Sequence, residues 1–319
     1  MKKIVILDGK TLGDVDYSKL NKFGDIIYYD STKPEEINER IENANIIITN
    51  KVVLKEENLS KTNKLELICE AATGFNNIDI KYAKENSIAV TNVAGYSTNS
   101  VVQHTFATTL SLIGKLKYYD NFIKNKDYSK LDVFVSLDRP FFEIAGKTWG
   151  IIGLGNIGRG VAKVAEAFGA NVLYYSTSGK NNDSKYKRVE LDELLKSCDI
   201  ISIHSPLNEK TRGLINYEAL CKMKKDAILV NMGRGSIVIE EDLAKAIDEN
   251  IIGGAVLDVF EVEPISEDNP LLHINNRDRL LLTPHIAWAS IESRNRLFEG
   301  VLENIEAFYN NEIKNRVEI

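Results

Sequence analysis

Trp149-Gly150-Ile151-Ile152-Gly153-Leu154-Gly155-Asn156-Ile157-Gly158 decides how this chain reads. An apolar run ends in G-x-G-x-x-G, and then Val161, Val164, Ala165 and Phe168 recur at i, i+3, i+4 and i+7, one face of a helix. In a strand–turn–helix each glycine has a task. Gly153 permits the tight turn, Gly155 lets backbone approach a pyrophosphate, and Gly158 lets helix pack on strand. The helix N-terminus adds unpaired N–H groups and a positive dipole end. An ordinary glycine turn is the competing explanation, but the flanking strand and helix favour nucleotide binding, with Asn156 and Ile157 at the same turn.

An acid about twenty residues on would hold the ribose 2′-hydroxyl. The next strand ends Tyr174-Tyr175-Ser176-Thr177-Ser178-Gly179-Lys180, so Ser176 stands where the acid is expected. Nothing there repels a 2′-phosphate, and Lys180 with the three hydroxyls could contact one. Equally, Lys180 could be solvated and Ser176 could bond the ribose of NAD. The cofactor is therefore NAD(P).

Outward from this turn the chain alternates. Short apolar runs predict strands at Thr148–Gly153, Val172–Tyr175, Ile200–His204, Ile228–Met232, Ala255–Val259 and Leu280–Thr283. Between them helices are predicted at Ile157–Phe168, Leu191–Lys196, Tyr217–Met223 and Glu240–Glu249. Six strands with intervening helices make a doubly wound parallel sheet. The first hundred residues repeat the pattern, with strands at Ile4–Leu7, Ile46–Thr49, Leu65–Cys69 and Ala89–Thr91 and a helix after Pro34. Long helices are predicted from Asn99 or Ser100 to about Leu116 and over Ile291–Asn310; Asn121–Pro140 reads as a connecting segment.

The 319 residues imply about two domains at roughly 150 residues each. With 44% hydrophobic and 27% charged residues the chain is globular, not disordered. A net charge of -6 argues against nucleic acid and anionic membranes as partners. Cys69, Cys198 and Cys221 are scattered, which fits reduced thiols in the cytoplasm and no metal site. Met1-Lys2-Lys3 with Ile4–Leu7 mimics a signal peptide, but the apolar run stops at Asp8-Gly9, so a buried strand is the better reading. No stretch is long and apolar enough for a membrane span.

Three further motifs carry a resemblance. They are Asn231-Met232-Gly233-Arg234-Gly235, Leu257-Asp258-Val259-Phe260-Glu261-Val262-Glu263-Pro264 and Thr283-Pro284-His285-Ile286-Ala287. With Gly74-Phe75-Asn76-Asn77-Ile78-Asp79, Thr91-Asn92-Val93-Ala94-Gly95-Tyr96 and a mid-chain glycine turn, the sequence resembles the D-isomer-specific 2-hydroxyacid dehydrogenases. It is most similar to their hydroxypyruvate reductase (glycerate dehydrogenase) branch. The resemblance implies a Rossmann cofactor domain, residues 101–289, inserted into a flavodoxin-like substrate domain made of 1–100 and 290–319. It further implies a hinge at the two crossovers, an active site in the cleft, NAD as the commoner cofactor and a homodimer formed through the cofactor domain.

By the same resemblance, Arg234 holds the substrate carboxylate and carbonyl oxygen, a task that suits a planar guanidinium. His285 is the general acid in reduction and base in oxidation, and Glu263 beside it favours the imidazolium. Ala72-Thr73-Gly74 forms a backbone grip on the carboxylate, and Trp288 either walls the pocket or packs in the core. Asp258 holds the nicotinamide carboxamide. Further cofactor contacts fall at His204, Ser205, Pro206, Thr211, Met232, Gly233 and Ala287; His273 and His104 are read as structural, as His204 also could be.

The expected activity is hydride transfer between a nicotinamide cofactor and a small D-2-hydroxy acid/2-oxo acid pair, with hydroxypyruvate or glyoxylate first. Pyruvate, branched-chain and phosphorylated 2-oxo acids are alternatives. Glu263 counts against the formate-oxidising branch, whose histidine lacks an acid partner. A dinucleotide-sensing corepressor on the same fold is the alternative outside enzymology.

Overall fold

The computed structural model describes residues 2–319. Along the chain run β1 (Lys3–Ile6), β2 (Asp25–Tyr28), α1 (Ile37–Ile41), β3 (Ile46–Thr49), α2 (Glu56–Leu59), β4 (Leu67–Glu70), α3 (Ile80–Glu85) and β5 (Ala89–Thr91). Then come α4 (Thr98–Ile113), α5 (Leu116–Lys124), β6 (Thr148–Ile152), α6 (Asn156–Ala167), β7 (Asn171–Tyr175), β8 (Lys187–Arg188), α7 (Leu191–Ser197), β9 (Ile200–Ile203) and α8 (Tyr217–Lys222). The chain closes with β10 (Ile228–Asn231), α9 (Glu240–Asp248), β11 (Gly254–Leu257), β12 (Leu280–Leu282) and α10 (Ile291–Tyr309).

Two compact units divide the chain, Met1–Ser97 with Ala289–Ile319, and Thr98–Trp288. The first holds a parallel sheet in the order β2-β1-β3-β4-β5, the flavodoxin-like winding. One of its faces is filled by Val5, Leu7, Ile47, Ile68 and Val90, successive inward positions of neighbouring strands. The returning α10 is bound to this unit: Asn304 Nδ2 donates to Asn92 O at 2.9 Å. A Cβ on Gly300 would lie only 2.6 Å from Val93 Cγ1, so the helix approaches more closely than any larger residue permits.

The second unit holds seven parallel strands, β12-β11-β10-β9-β6-β7-β8, the doubly wound order of dinucleotide-binding sheets. Alternate residues feed two separate cores. Ile201, Ile203 and Leu229 enter one, while Ile200, Ile228 and Val230 enter the other. Burial on both faces is why these strands read as unbroken apolar runs.

Some elements differ from the sequence reading. β2 is missed although Ile26-Ile27-Tyr28 is a short apolar run; the strand is half exposed at the sheet edge. β8 is two exposed charged residues. The predicted long helix ends at Ile113, because Lys115 takes a left-handed φ of 52°. A second helix, α5, then occupies the first part of the expected connector; Leu116, Tyr119 and Ile123 recur at helical spacing along it, but none of its residues is buried. Among the described residues no helix is long and apolar enough to cross a membrane.

Candidate active site

At the glycine turn, Gly153 has φ +94°, and a Cβ there would come within 2.8 Å of the Ser205 backbone. A Cβ on Gly158 would meet Gly153 O at 2.3 Å, so helix and strand are in backbone contact. Gly155 differs: its Cβ would meet nothing within 4 Å. It is the N-cap of α6, so no N-cap side chain covers the first N–H groups of the helix. Beside the turn, at the end of β9, Ser205 Oγ and both ring nitrogens of His204 are buried without a hydrogen-bond partner among the described residues. Burial pushes the His204 imidazole down to about 3, so it is neutral at physiological pH. A Cβ-free gap at a helix N-terminus, next to orphaned polar atoms, fits the pyrophosphate and ribose of a dinucleotide.

The other predicted cofactor residues shape their loops. Thr211 Oγ1 donates to Pro206 O at 2.8 Å and accepts from Asn208 N at 2.8 Å. Met232 is buried, and Gly233 N donates to Asn231 Oδ1 at 3.0 Å. Ser176 is buried at the end of β7, while Lys180 is exposed.

Adjacent strand ends deliver the catalytic candidates to one edge of the sheet. Arg234 follows β10, Asp258 and Glu263 follow β11, and His285 follows β12. The Asn231 side chain staples the Arg234 turn, donating from Nδ2 to Arg234 O at 2.9 Å. A Cβ on Gly235 would be 1.9 Å from the Phe260 carbonyl carbon, so the Arg234 loop presses directly on the loop leading to Glu263. Glu263 Oε1 accepts from Phe260 N at 3.0 Å, and Oε2 lies 2.7 Å from His285 Nδ1. A carboxylate only accepts, so Nδ1 carries the donated proton and Nε2 is the atom available for proton transfer.

His285 itself has φ 55°, an uncommon conformation for a non-glycine residue. Its loop is held there by Asp258. Oδ1 accepts from Thr283 Oγ1 at 2.6 Å and Ile286 N at 2.9 Å, and Oδ2 accepts from Ala287 N at 2.8 Å. Asp258 is 1% exposed, so its evident work is to set the histidine loop. Because the Thr283 hydroxyl proton goes to Asp258, the same oxygen accepts from His104 Nε2, 3.0 Å away on α4. Ser100 Oγ donates to Ala287 O at 2.6 Å. Sequence reasoning missed His104 and Ser100 as supports of this loop, since nothing local marks partners 179 and 187 residues away. Trp288 packs half-buried against the core that contains Val256 and Ala287. His273 bonds Glu267 O at the surface.

In the first unit, Ala72-Thr73-Gly74 follows β4. Thr73 Oγ1 donates to Val93 O at 3.1 Å, and Asn92 Nδ2 donates to Thr73 O at 2.7 Å. Just before this loop, Glu70 is fully buried; burial pushes its carboxyl up to about 9, with Asn77 Nδ2 donating to Oε2 at 3.0 Å. Nearby Asp8 is also raised, mainly by burial, and accepts from Asn50 N and Lys51 N. Among the described residues no group of three or more His, Cys, Asp or Glu side chains could hold a metal ion.

Residues 106–287 match the family model of the D-isomer specific 2-hydroxyacid dehydrogenase NAD-binding domain. The hydroxypyruvate reductase of Blautia hydrogenotrophica is 38% identical over 315 residues, 96% of each chain. Two solved structures superpose over nearly the whole length. One is an acyclic imino acid reductase in complex with NADPH and D-Arg (TM-score 0.87, 30% identity, 99% of each chain). The other is the D-lactate dehydrogenase of Aquifex aeolicus complexed with NAD and lactic acid (TM-score 0.86, 29% identity, 100% of this chain and 99% of that one).

Proposed function

The chain belongs to the D-isomer specific 2-hydroxyacid dehydrogenases, which are NAD(P)-dependent oxidoreductases, and from that premise we propose that it reduces a small 2-oxo acid, hydroxypyruvate or glyoxylate, to the D-2-hydroxy acid. The observation that carries this reading is the His285–Glu263 pair beside the Arg234 turn, on neighbouring strand ends of a dinucleotide-binding sheet.

Arg234 engages the substrate carboxylate and polarises the carbonyl oxygen, holding both in one plane through its fork of donors. Ala72-Thr73-Gly74 is the candidate second grip, through its backbone. His285 Nε2 delivers a proton to the carbonyl oxygen as the alkoxide develops, while Glu263 keeps the opposite nitrogen protonated and the ring fixed. The nicotinamide, when bound, supplies the hydride. Gly153, Gly155, Asn156, Ile157 and Gly158 would hold its pyrophosphate, with His204, Ser205, Pro206 and Met232 around the remaining nucleotide. In oxidation the same Nε2 takes the proton back.

The test is loss of reduced-nicotinamide absorbance with hydroxypyruvate, glyoxylate, pyruvate and 2-oxoisocaproate, using NADH and NADPH in separate assays. Turnover of hydroxypyruvate or glyoxylate above the other acids supports the reading; no turnover with any acid overturns it.

The enzyme is further read as a homodimer formed through its cofactor unit. Support comes from the segment after α5, where Val133, Phe134, Leu137 and Phe141 are 61, 89, 79 and 64% exposed. Four large apolar side chains left in solvent within nine residues support a protein contact here. A monomer in solution scattering would refute this. Its cysteines are free thiols, which supports a cytoplasmic location.

A further inference from the structure

We infer that the turn after β7, together with Lys180 and Arg188, is a receptor for the 2′-phosphate of NADP, which makes NADPH the preferred reductant of this chain. This rests on the dehydrogenase reading above, and it settles a choice that the glycine turn leaves open.

No carboxylate of this segment is available to a ribose hydroxyl. The next acid along the chain, Asp183, has a side chain only 11% exposed and is ion-paired with Arg159 of α6. It also accepts from Lys185 N at 2.8 Å and Tyr186 N at 3.2 Å. Those partners turn it into the protein and occupy its oxygens. Asp183 therefore cannot take over the role of the missing strand-end acid.

Cations, by contrast, are left over. Between Ser176 and Arg188 stand four basic residues and one acid. Lys185 pairs with Glu166 and Lys187 with Glu193. Among the described residues neither Lys180 nor Arg188 has a carboxylate partner within ion-pair distance, and both are exposed.

The fold brings Arg188 back to the turn. β8 pairs in parallel with β7, setting Arg188 beside Tyr174, two residues before Ser176. From there Arg188 Nη1 donates to Gly179 O at 2.9 Å, which lays the guanidinium on the turn. The turn itself is closed by Gly179 N donating to Ser176 O at 3.0 Å, with Gly179 at φ +71°. Thr177 and Ser178 lie within it, and Lys180 N donates to Ser178 Oγ at 3.2 Å. On the other side Asn181 N donates to Ser176 Oγ at 3.3 Å, and Arg159 Nη2 donates to Asn181 Oδ1 at 3.1 Å.

A phosphate monoester carries two negative charges at neutral pH and accepts from guanidinium, ammonium, hydroxyl and backbone N–H groups. A bare 2′-hydroxyl has no use for two unpaired cations. Arg188, Lys180 and the hydroxyl turn thus match NADP and not NAD. Arg188 carries no local signal in the sequence, being twelve residues past Ser176; only β8 reveals it.

The test is calorimetric titration of the purified protein with NADPH, NADH, 2′,5′-ADP and 5′-AMP. NADPH is expected to bind at least about tenfold tighter than NADH, with 2′,5′-ADP ahead of 5′-AMP. The double variant Lys180→Ala/Arg188→Ala should weaken NADPH by roughly ten- to hundredfold and reduce its salt dependence to that of NADH, while shifting NADH less than about threefold. Ser176→Asp, which adds the absent carboxylate, should reverse the preference. Equal or tighter NADH binding overturns the inference, as does a double variant that weakens both nucleotides alike. Hydroxypyruvate reduction with NADH alone overturns it and leaves the proposed reaction intact. Preferential NADPH binding with no 2-oxo acid consumed does the reverse.

Discussion

Replacing Glu263 with glutamine should damage turnover more than replacing it with alanine, although glutamine is the closer mimic. Glu263 Oε1 accepts from Phe260 N at 3.0 Å, and that group can only donate. In Glu263→Gln the amide oxygen therefore stays with Phe260, and the amide nitrogen faces His285 Nδ1, where Oε2 stood 2.7 Å away. Nδ1 must then accept, which moves the ring proton to Nε2. Protonating the ring fully would set two donors against each other. Reduction loses its acid, and oxidation loses its base because Nε2 is already occupied. Losing a charge-assisted hydrogen bond costs about 1.5–3 kcal/mol, or roughly ten- to 150-fold in rate, and this sets the expected loss in Glu263→Ala. The wrong tautomer in Glu263→Gln adds to it, for a total of about a hundred- to ten-thousandfold in kcat/KM. The assay is steady-state kinetics in both directions with the best 2-oxo acid, beside calorimetric nucleotide binding, which should not change. A glutamine variant keeping a third of wild-type activity would refute the tautomer argument. So would an alanine variant that is the worse of the two at unchanged Tm.

His285→Ala should lower kcat by at least about a thousandfold and leave nucleotide affinity unchanged; unchanged turnover would remove His285 from the mechanism. Gly155→Val should fold normally, since its side chain enters open space, yet lose dinucleotide binding; retained binding in titration would show that the pyrophosphate does not lie over α6. Gly158→Ala, by contrast, forces a Cβ to 2.3 Å from Gly153 O and should lower Tm by several degrees. Glu70 is raised from the ordinary 4.5 to about 9, so the stability tied to its neutral form is complete below about pH 4.5 and is lost as pH rises through about 9. Glu70→Gln, which cannot ionise, should therefore gain Tm relative to wild type as pH is raised from 6 to 9; parallel melting curves over that range would contradict the assignment.

Much of the architecture was legible because the signals are local. Ile200–Ile203 and Ile228–Asn231 are buried on both faces, so continuous apolar runs announce them. The two charged residues of β8 carry no such pattern, whereas Ile26-Ile27-Tyr28 of β2 and Leu116, Tyr119 and Ile123 of α5 do carry short apolar patterns that the sequence reading missed. Residues of the candidate site divide the same way. Arg234, Glu263 and His285 stand in short motifs at strand ends, where a sequence can mark them.

What the amino-acid order determined by itself was most of the strands and helices, the glycine turn and the identity of the groups at the strand ends. Each depends on dihedral preference or burial within a few residues. Only the tertiary structure decided what those groups do to one another. Asp258 reaches Ile286 and Ala287, and His104 reaches Thr283, because sheet order sets the ends of β11 and β12 side by side and α4 packs against them. Arg188 returns to the Ser176 turn because β8 pairs with β7. Hydrogen bonds and charges act over a few ångströms of space, whatever the distance along the chain, so their partners exist only once the chain has folded.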